Sequence, residues 1–135
     1  MENGAYNEIE RVKQTVRNYV DGVVDFDFHK GESAWDLDGL KISYDPQRKK
    51  LQNVTILETR PNLSAEEIES ARNNVSQNGT IQAVDRTGDA ASVKLLWHYE
   101  RGGEAREITD YILLLRIDGK WKIVAKVFDD RVLDR

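Results

Sequence analysis

One carboxylate in this sequence stands where a carboxylate is costly. The segment REITDYILLLRIDGKWKIVAKVFDD, Arg106 to Asp130, reads as two strands joined by Asp118-Gly119, a pair that favours a primed two-residue hairpin turn. Such a turn fixes register, so residues pair across it: Arg116 with Trp121, Leu114 with Ile123, Ile112 with Ala125 and Asp110 with Val127. Gly102-Gly103 does the same for the preceding strand and sets Trp97 opposite Ile108, Leu95 opposite Asp110 and Val93 opposite Ile112. The face that holds Asp110 carries the larger apolar area, so the helices must cover it. A carboxylate there is either a general base or ligand contact in a pocket, or a structural group paired with backbone amides or a helix side chain such as Tyr19.

Other side chains could share that pocket. Tyr19, on the edge of an amphipathic helix, can offer its hydroxyl to a ligand oxygen. Trp35, Trp97 and Trp121 can stack on a flat heterocycle or simply fill the core, and Ile112 belongs to the same inner wall. Arg116, near the end of the sheet, can meet an anionic group at the rim. Asp36 and Asp38 alternate as strand residues do and can point the same way. With Asp25 and Asp27 nearby they could form a weak cation site, although a solvated turn explains them as well, and no metal is expected. His29 lies in a short second helix. The register puts His98 on the outer face beside Glu107, which makes it a poor catalytic base. The chain has no cysteine, hence no disulfide and no thiol nucleophile. It has no phosphate-binding loop, and no cofactor is expected.

The 135 residues suffice for one domain, taken as 1–135, with a substantial core. A net charge of −4 argues against a nucleic-acid partner. No apolar run reaches the ~18 residues of a membrane span, and the N-terminus lacks the basic start and apolar stretch of a signal peptide. A cytoplasmic protein is expected, in which the Asn-x-Ser/Thr triplets at Asn53, Asn62, Asn74 and Asn78 are chance products of a polar chain.

The elements that must position these residues follow in order. Ile9, Val12, Val16, Val20 and Val23 fall at helical spacing, with Asn7 as N-cap and Glu10 as its capping-box partner. Gly22, near the end of this helix, leaves room for another element. A short helix spans Phe28 to Trp35. A hairpin follows, with Leu40, Ile42 and Tyr44 alternating and a second strand from Leu51 to Leu57. Ser64 caps a further helix with Glu67, and Asn78-Gly79 closes that region. Four strands complete the chain: Ile81 to Thr87, Ala91 to Glu100, Ala105 to Ile117 and Lys120 to Asp129.

This order resembles that of the nuclear transport factor 2-like superfamily. The stretches VKQTVRNYVDGVV, AVDRTGDAASVKL and ITDYILLLRIDGKWKIVAKVF resemble its putative lumazine-binding branch. The resemblance implies an α+β, cone-shaped (cystatin-like) fold, in which a curved, mostly antiparallel sheet wraps over helices around an internal cavity, and frequent homodimers. Relatives often carry an aromatic-His-Pro-Asp junction before the first strand. Here Trp35-Asp36-Leu37-Asp38 keeps the Asp at 38 and replaces His and Pro, so no role that needs that His carries over.

The expected function is binding of a small, flat, largely apolar ligand, lumazine-like or another aromatic heterocycle, rather than catalysis. The contacts would be Asp110, Tyr19, Trp35, Asp38, Trp97, Ile112, Arg116 and Trp121. The alternatives are an isomerase, dehydratase or cyclase with Asp110 as base and Tyr19 as its electrophilic partner, or an interaction module with no small-molecule role. The outer face gathers Leu96, Tyr111, Leu113, Val124 and Phe128 into an apolar island ringed by charge, which marks it as the interface of a homodimer.

Overall fold

Two-residue turns hold the C-terminal half of the sheet in register. A computed structural model describes residues 2–133, with side chains from residue 7 onward. The helices are α1 (Glu2–Val24), α2 (Phe28–Ser33) and α3 (Ala65–Asn74). The strands are β1 (Trp35–Asp45), β2 (Lys50–Thr55), β3 (Val75–Thr87), β4 (Ala90–Arg101), β5 (Glu104–Ile117) and β6 (Lys120–Val132). They form one curved, unclosed sheet in the order β2-β1-β6-β5-β4-β3, in which only β1 and β6 run parallel. Gly102, Gly103, Asp118 and Gly119 all take the positive φ that primed turns require.

The apolar stripe of α1 lies on the inner face of the sheet. Val12 and Val16 are fully buried against a core that includes Val93, Leu95, Ile112, Leu114 and Ile123. Burying each such side chain stabilises the fold by roughly 1.5–3 kcal/mol. The expected pairs Trp97–Ile108, Leu95–Asp110 and Val93–Ile112 are all present. So are Arg116–Trp121 and Leu114–Ile123.

Beyond Ile123 the expected register does not hold. Leu113 pairs with Ala125 rather than Val124, so a bulge at Val124 shifts the rest of β6 by one residue. Lys126 is therefore opposite Ile112, and Phe128 opposite Asp110. Both turn to the inner face, while Ala125 and Val127 turn outward. Phe128 thus leaves the expected outer island and Val127 takes its place. In β1, the alternating Leu40, Ile42 and Tyr44 lie on the outer side, and Lys41 stands beside Lys126 on the inner one.

Three boundaries also differ. Helix α1 runs straight through Asn7, so Asn7 is not a cap, and Glu10 pairs with Lys13 instead. Asn78-Gly79 lies inside β3, where a side chain at Gly79 would press on Val20 at 3.1 Å and Trp97 at 3.4 Å. Strand β2 stops at Thr55, and Ile56 folds into the core. The Ser64–Glu67 capping box is present as expected.

Helices α1 and α2 meet backbone to backbone. A Cβ at Gly22 would lie 2.6 Å from Gly31 Cα and 2.9 Å from Asp27 O, whereas a Cβ at Gly31 meets nothing nearer than 3.8 Å. Gly22→Ala is therefore expected to cost about 1–3 kcal/mol or more through overpacking. Gly31→Ala should stay within about 1 kcal/mol of wild type. Urea unfolding of the two variants distinguishes them, and equal losses would show that the crossing yields.

Candidate functional site

The bulge in β6 supplies what Asp110 needs. Asp110 is fully buried, and Lys126, one strand away, is 9% exposed. Lys126 Nζ donates to Asp110 Oδ1 at 3.1 Å and Oδ2 at 3.2 Å, and to the Tyr19 hydroxyl oxygen at 3.1 Å. Trp97 Nε1 donates to Asp110 Oδ2 at 2.9 Å. Both carboxylate oxygens are therefore engaged. The ammonium also lies 5.6 Å from the Tyr19 ring centre and 5.1 Å from that of Phe128, positions that favour a cation.

Burial works against charge on Lys126, but Tyr19 and Asp110 more than offset it and hold the ammonium above the ordinary lysine range. Burial, reinforced by Asp110 and opposed by Lys126, pushes the Tyr19 hydroxyl up. Tyr19 is therefore neutral at physiological pH, and Asp110 carries the countercharge to Lys126. Tyr19 is fixed by edge-on contacts with Trp35 at 5.7 Å and Trp97 at 5.9 Å. Trp35 Nε1 is buried and, among the described residues, has no hydrogen-bond partner.

A cavity of about 230 Å³ opens over this cluster, lined by Tyr19, Val23, Gln77, Trp97, Tyr99, Ile108, Asp110 and Lys126. Its walls are aromatic and aliphatic. Its floor offers one unspent donor, the Tyr19 O–H, whose oxygen already accepts from Lys126; the three N–H groups of Lys126 are taken by the two Asp110 oxygens and Tyr19.

The structure thus brings together Tyr19, Trp97 and Asp110, with Trp35 and Ile112 packed around them. The other expected contacts lie elsewhere. Trp121 donates to Glu8 at 2.6 Å, and Arg116 pairs with Glu8 at 3.0 Å and with Asp89, all toward the β5–β6 turn. Asp38 is exposed on β1, where its backbone N–H donates to Asp36 Oδ1 at 3.0 Å. Asp27 caps α2 by accepting from Lys30 N. Among the described residues, no cluster of three or more His, Cys, Asp or Glu is arranged to hold a metal.

Lys126 and Lys41 were not singled out from sequence. The signal for Lys126 was Asp110 itself, since a buried carboxylate demands a donor and β6 supplies the nearest cation. Lys41 shares a second cavity, of about 100 Å³, with Tyr19, Val23, Phe28, Ile56 and Pro61. Burial, then repulsion from Lys126, lowers its pKa to about 8, offset in part by Asp110.

A nuclear transport factor 2-like fold enclosing a pocket defines the class. Within it, the chain belongs to the putative lumazine-binding family, whose sequence pattern matches residues 7–129. Among solved structures, it is similar to a nuclear transport factor 2-like protein of unknown function from Shewanella baltica OS155, with 19% identity, 93% of this chain and 95% of that one covered, and a TM-score of 0.68. A ketosteroid isomerase-like protein from Erwinia carotovora atroseptica SCRI1043 shows 17% identity over 91% of this chain and 95% of that one, with a TM-score of 0.65. A putative scytalone dehydratase from Novosphingobium aromaticivorans DSM 12444 shows 15% identity over 100% of this chain and 92% of that one, with a TM-score of 0.68. No curated protein matches the chain.

Removing either partner of the Asp110–Lys126 pair leaves a buried charge uncompensated. Asp110→Asn and Lys126→Met are each expected to cost about 3–5 kcal/mol. The double variant Asp110→Asn/Lys126→Met should lose clearly less than the sum. A double-mutant cycle by urea unfolding measures this, and additive losses would mean that the two groups are not coupled.

Proposed function

We propose that this protein binds a small, flat, largely apolar molecule whose polar edge carries a carbonyl or comparable acceptor. The observation that carries the reading is the unspent Tyr19 O–H donor, held beside the Lys126 ammonium, at the floor of an aromatic-walled cavity. The volume of about 230 Å³ falls below the ~300 Å³ at which drug-sized pockets usually begin, which favours one or two fused rings over a steroid. The family description supports a lumazine-like heterocycle, whose ring carbonyls are acceptors of the required kind. In this reading Asp110 does not touch the ligand as a base. It holds Lys126 charged and in place, with Trp97 bracing it from the other side. Binding therefore fits better than isomerase, dehydratase or cyclase chemistry based on Asp110, because both of its oxygens already accept hydrogen bonds.

Thermal melting against lumazine, flavin, steroid and small aromatic acids tests the reading. A bicyclic heterocycle at ~100 times its dissociation constant should add about 2.7 kcal/mol. Tyr19→Phe should keep the fold and lose most of that gain. If no class stabilises the wild type, or if steroids alone do, the proposal fails.

The outer sheet face is proposed to join two copies of the chain. Tyr111, Leu113, Leu115 and Val127 are 50, 52, 44 and 49% exposed and lie side by side, with Leu96 and Val124 half-buried among them. Leu113→Asp is expected to yield a monomer by light scattering without loss of helix or strand signal. A dimer that survives the substitution excludes this face.

A further inference from the structure

We propose that Lys41 is a reactive amine that captures a small apolar aldehyde or ketone as a Schiff base in the cavity between α1, α2 and the segment after β2. Two lysines, Lys41 and Lys126, stand side by side on the inner face of adjacent parallel strands. One carboxylate, Asp110, is available to them, and Lys126 takes both of its oxygens. No hydrogen bond or ion pair joins the Lys41 side chain to another described residue, and its ammonium has only the Trp35 ring for company, at 5.8 Å. The remaining charged groups around the cavity are Glu32 and Arg60. They satisfy each other, with Arg60 donating to both Glu32 oxygens. Lys41 therefore has a like charge beside it and no counterion of its own.

The amine responds by giving up its proton more easily. Burial is the main cause and Lys126 the second, and the result is a pKa of about 8. At pH 7.5 roughly a quarter of such amines are neutral, against about one in a thousand ordinary lysines. A neutral lysine in an apolar pocket beside a second cation is the arrangement that activates amines toward carbonyl carbon. The pocket walls, Val23, Phe28, Ile56 and Pro61, suit an alkyl group, and a volume of about 100 Å³ admits a chain of a few carbons.

The chemistry balances without a further reactant. The Lys41 lone pair adds to the carbonyl carbon to give a carbinolamine. Two protons from nitrogen reach the oxygen, which leaves as water, and a C=N bond remains. The site shares Tyr19 and Val23 with the cavity over Asp110 but has Lys41 of its own, and its test reads a covalent adduct on Lys41 rather than ligand binding there.

The test uses the folded wild-type protein with butanal and sodium cyanoborohydride, which reduces any imine to a stable secondary amine, followed by peptide mapping. At pH 7.5 Lys41 should be alkylated at least tenfold faster than any other lysine, with the rate rising through a midpoint near pH 8. Lys41→Arg should abolish the fast adduct. Lys126→Met, once shown to be folded, should move the midpoint upward. If Lys41 reacts no faster than exposed Lys49 and Lys50, or if its midpoint lies with theirs, the proposal is overturned. The wild-type profile alone decides this even if a variant fails to fold.

Discussion

A buried ion pair between neighbouring strands governs the interior of this protein. Asp110 on β5 and Lys126 on β6 are expensive to remove from water, and they are retained because each polar valence is met by geometry that the rest of the fold supplies. Trp97 must reach across from β4 and Tyr19 must come down from α1. That requirement fixes the rotation of α1 about its axis more sharply than its valine stripe does, since valines tolerate a few degrees of roll and a hydrogen bond to a lysine does not. The glycine crossing with α2 and Gly79 under Val20 let α1 sit close enough for that contact.

The same pair explains the uneven fates of the two interior lysines. A single carboxylate can neutralise one ammonium well, and the strand order decides which. Lys126 is adjacent to β5 and takes Asp110. Lys41, one strand further out, is left with an aromatic face and a like charge beside it. Two residues of one chemical type, neighbours in space, therefore differ in how readily they lose a proton because of their rank in the sheet. The interior is consequently polar along one line running from Trp97 to Lys41 and apolar elsewhere.

Much of this was legible in the amino-acid order. Gly102-Gly103 and Asp118-Gly119 dictated which residues face each other, so the inward position of Asp110, its neighbour Trp97 and the helix carrying Tyr19 followed directly. Val124 was not legible as a bulge, because no glycine or proline marks it and the strand alternates cleanly on paper. The missed slip placed Lys126 and Phe128 on the wrong face. The start of α1 was misread because Asn7 and Glu10 carry the chemistry of a cap, while the residues before them also continue the helix. Lys41 was hidden because the alternation of Leu40, Ile42 and Tyr44 marked a strand without saying which of its faces was the inner one. Tertiary context outweighed local pattern at each of these positions.

The bulge at Val124 also sets how readily this interior can change character. Below it, every inward and outward position of β6 is decided by one surplus residue. Deleting Val124 would leave Ala125 opposite Leu113 and Lys126 opposite Ile112, so the charged floor would survive, whereas drawing Val124 into the regular ladder would set Ala125 opposite Ile112 and Val127 opposite Asp110 and turn Lys126 outward. Polarity of the chamber thus depends on one irregularity of the strand as well as on side-chain identity: the charge stays inside while Val124 is bulged out or lost altogether, and leaves when it is paired.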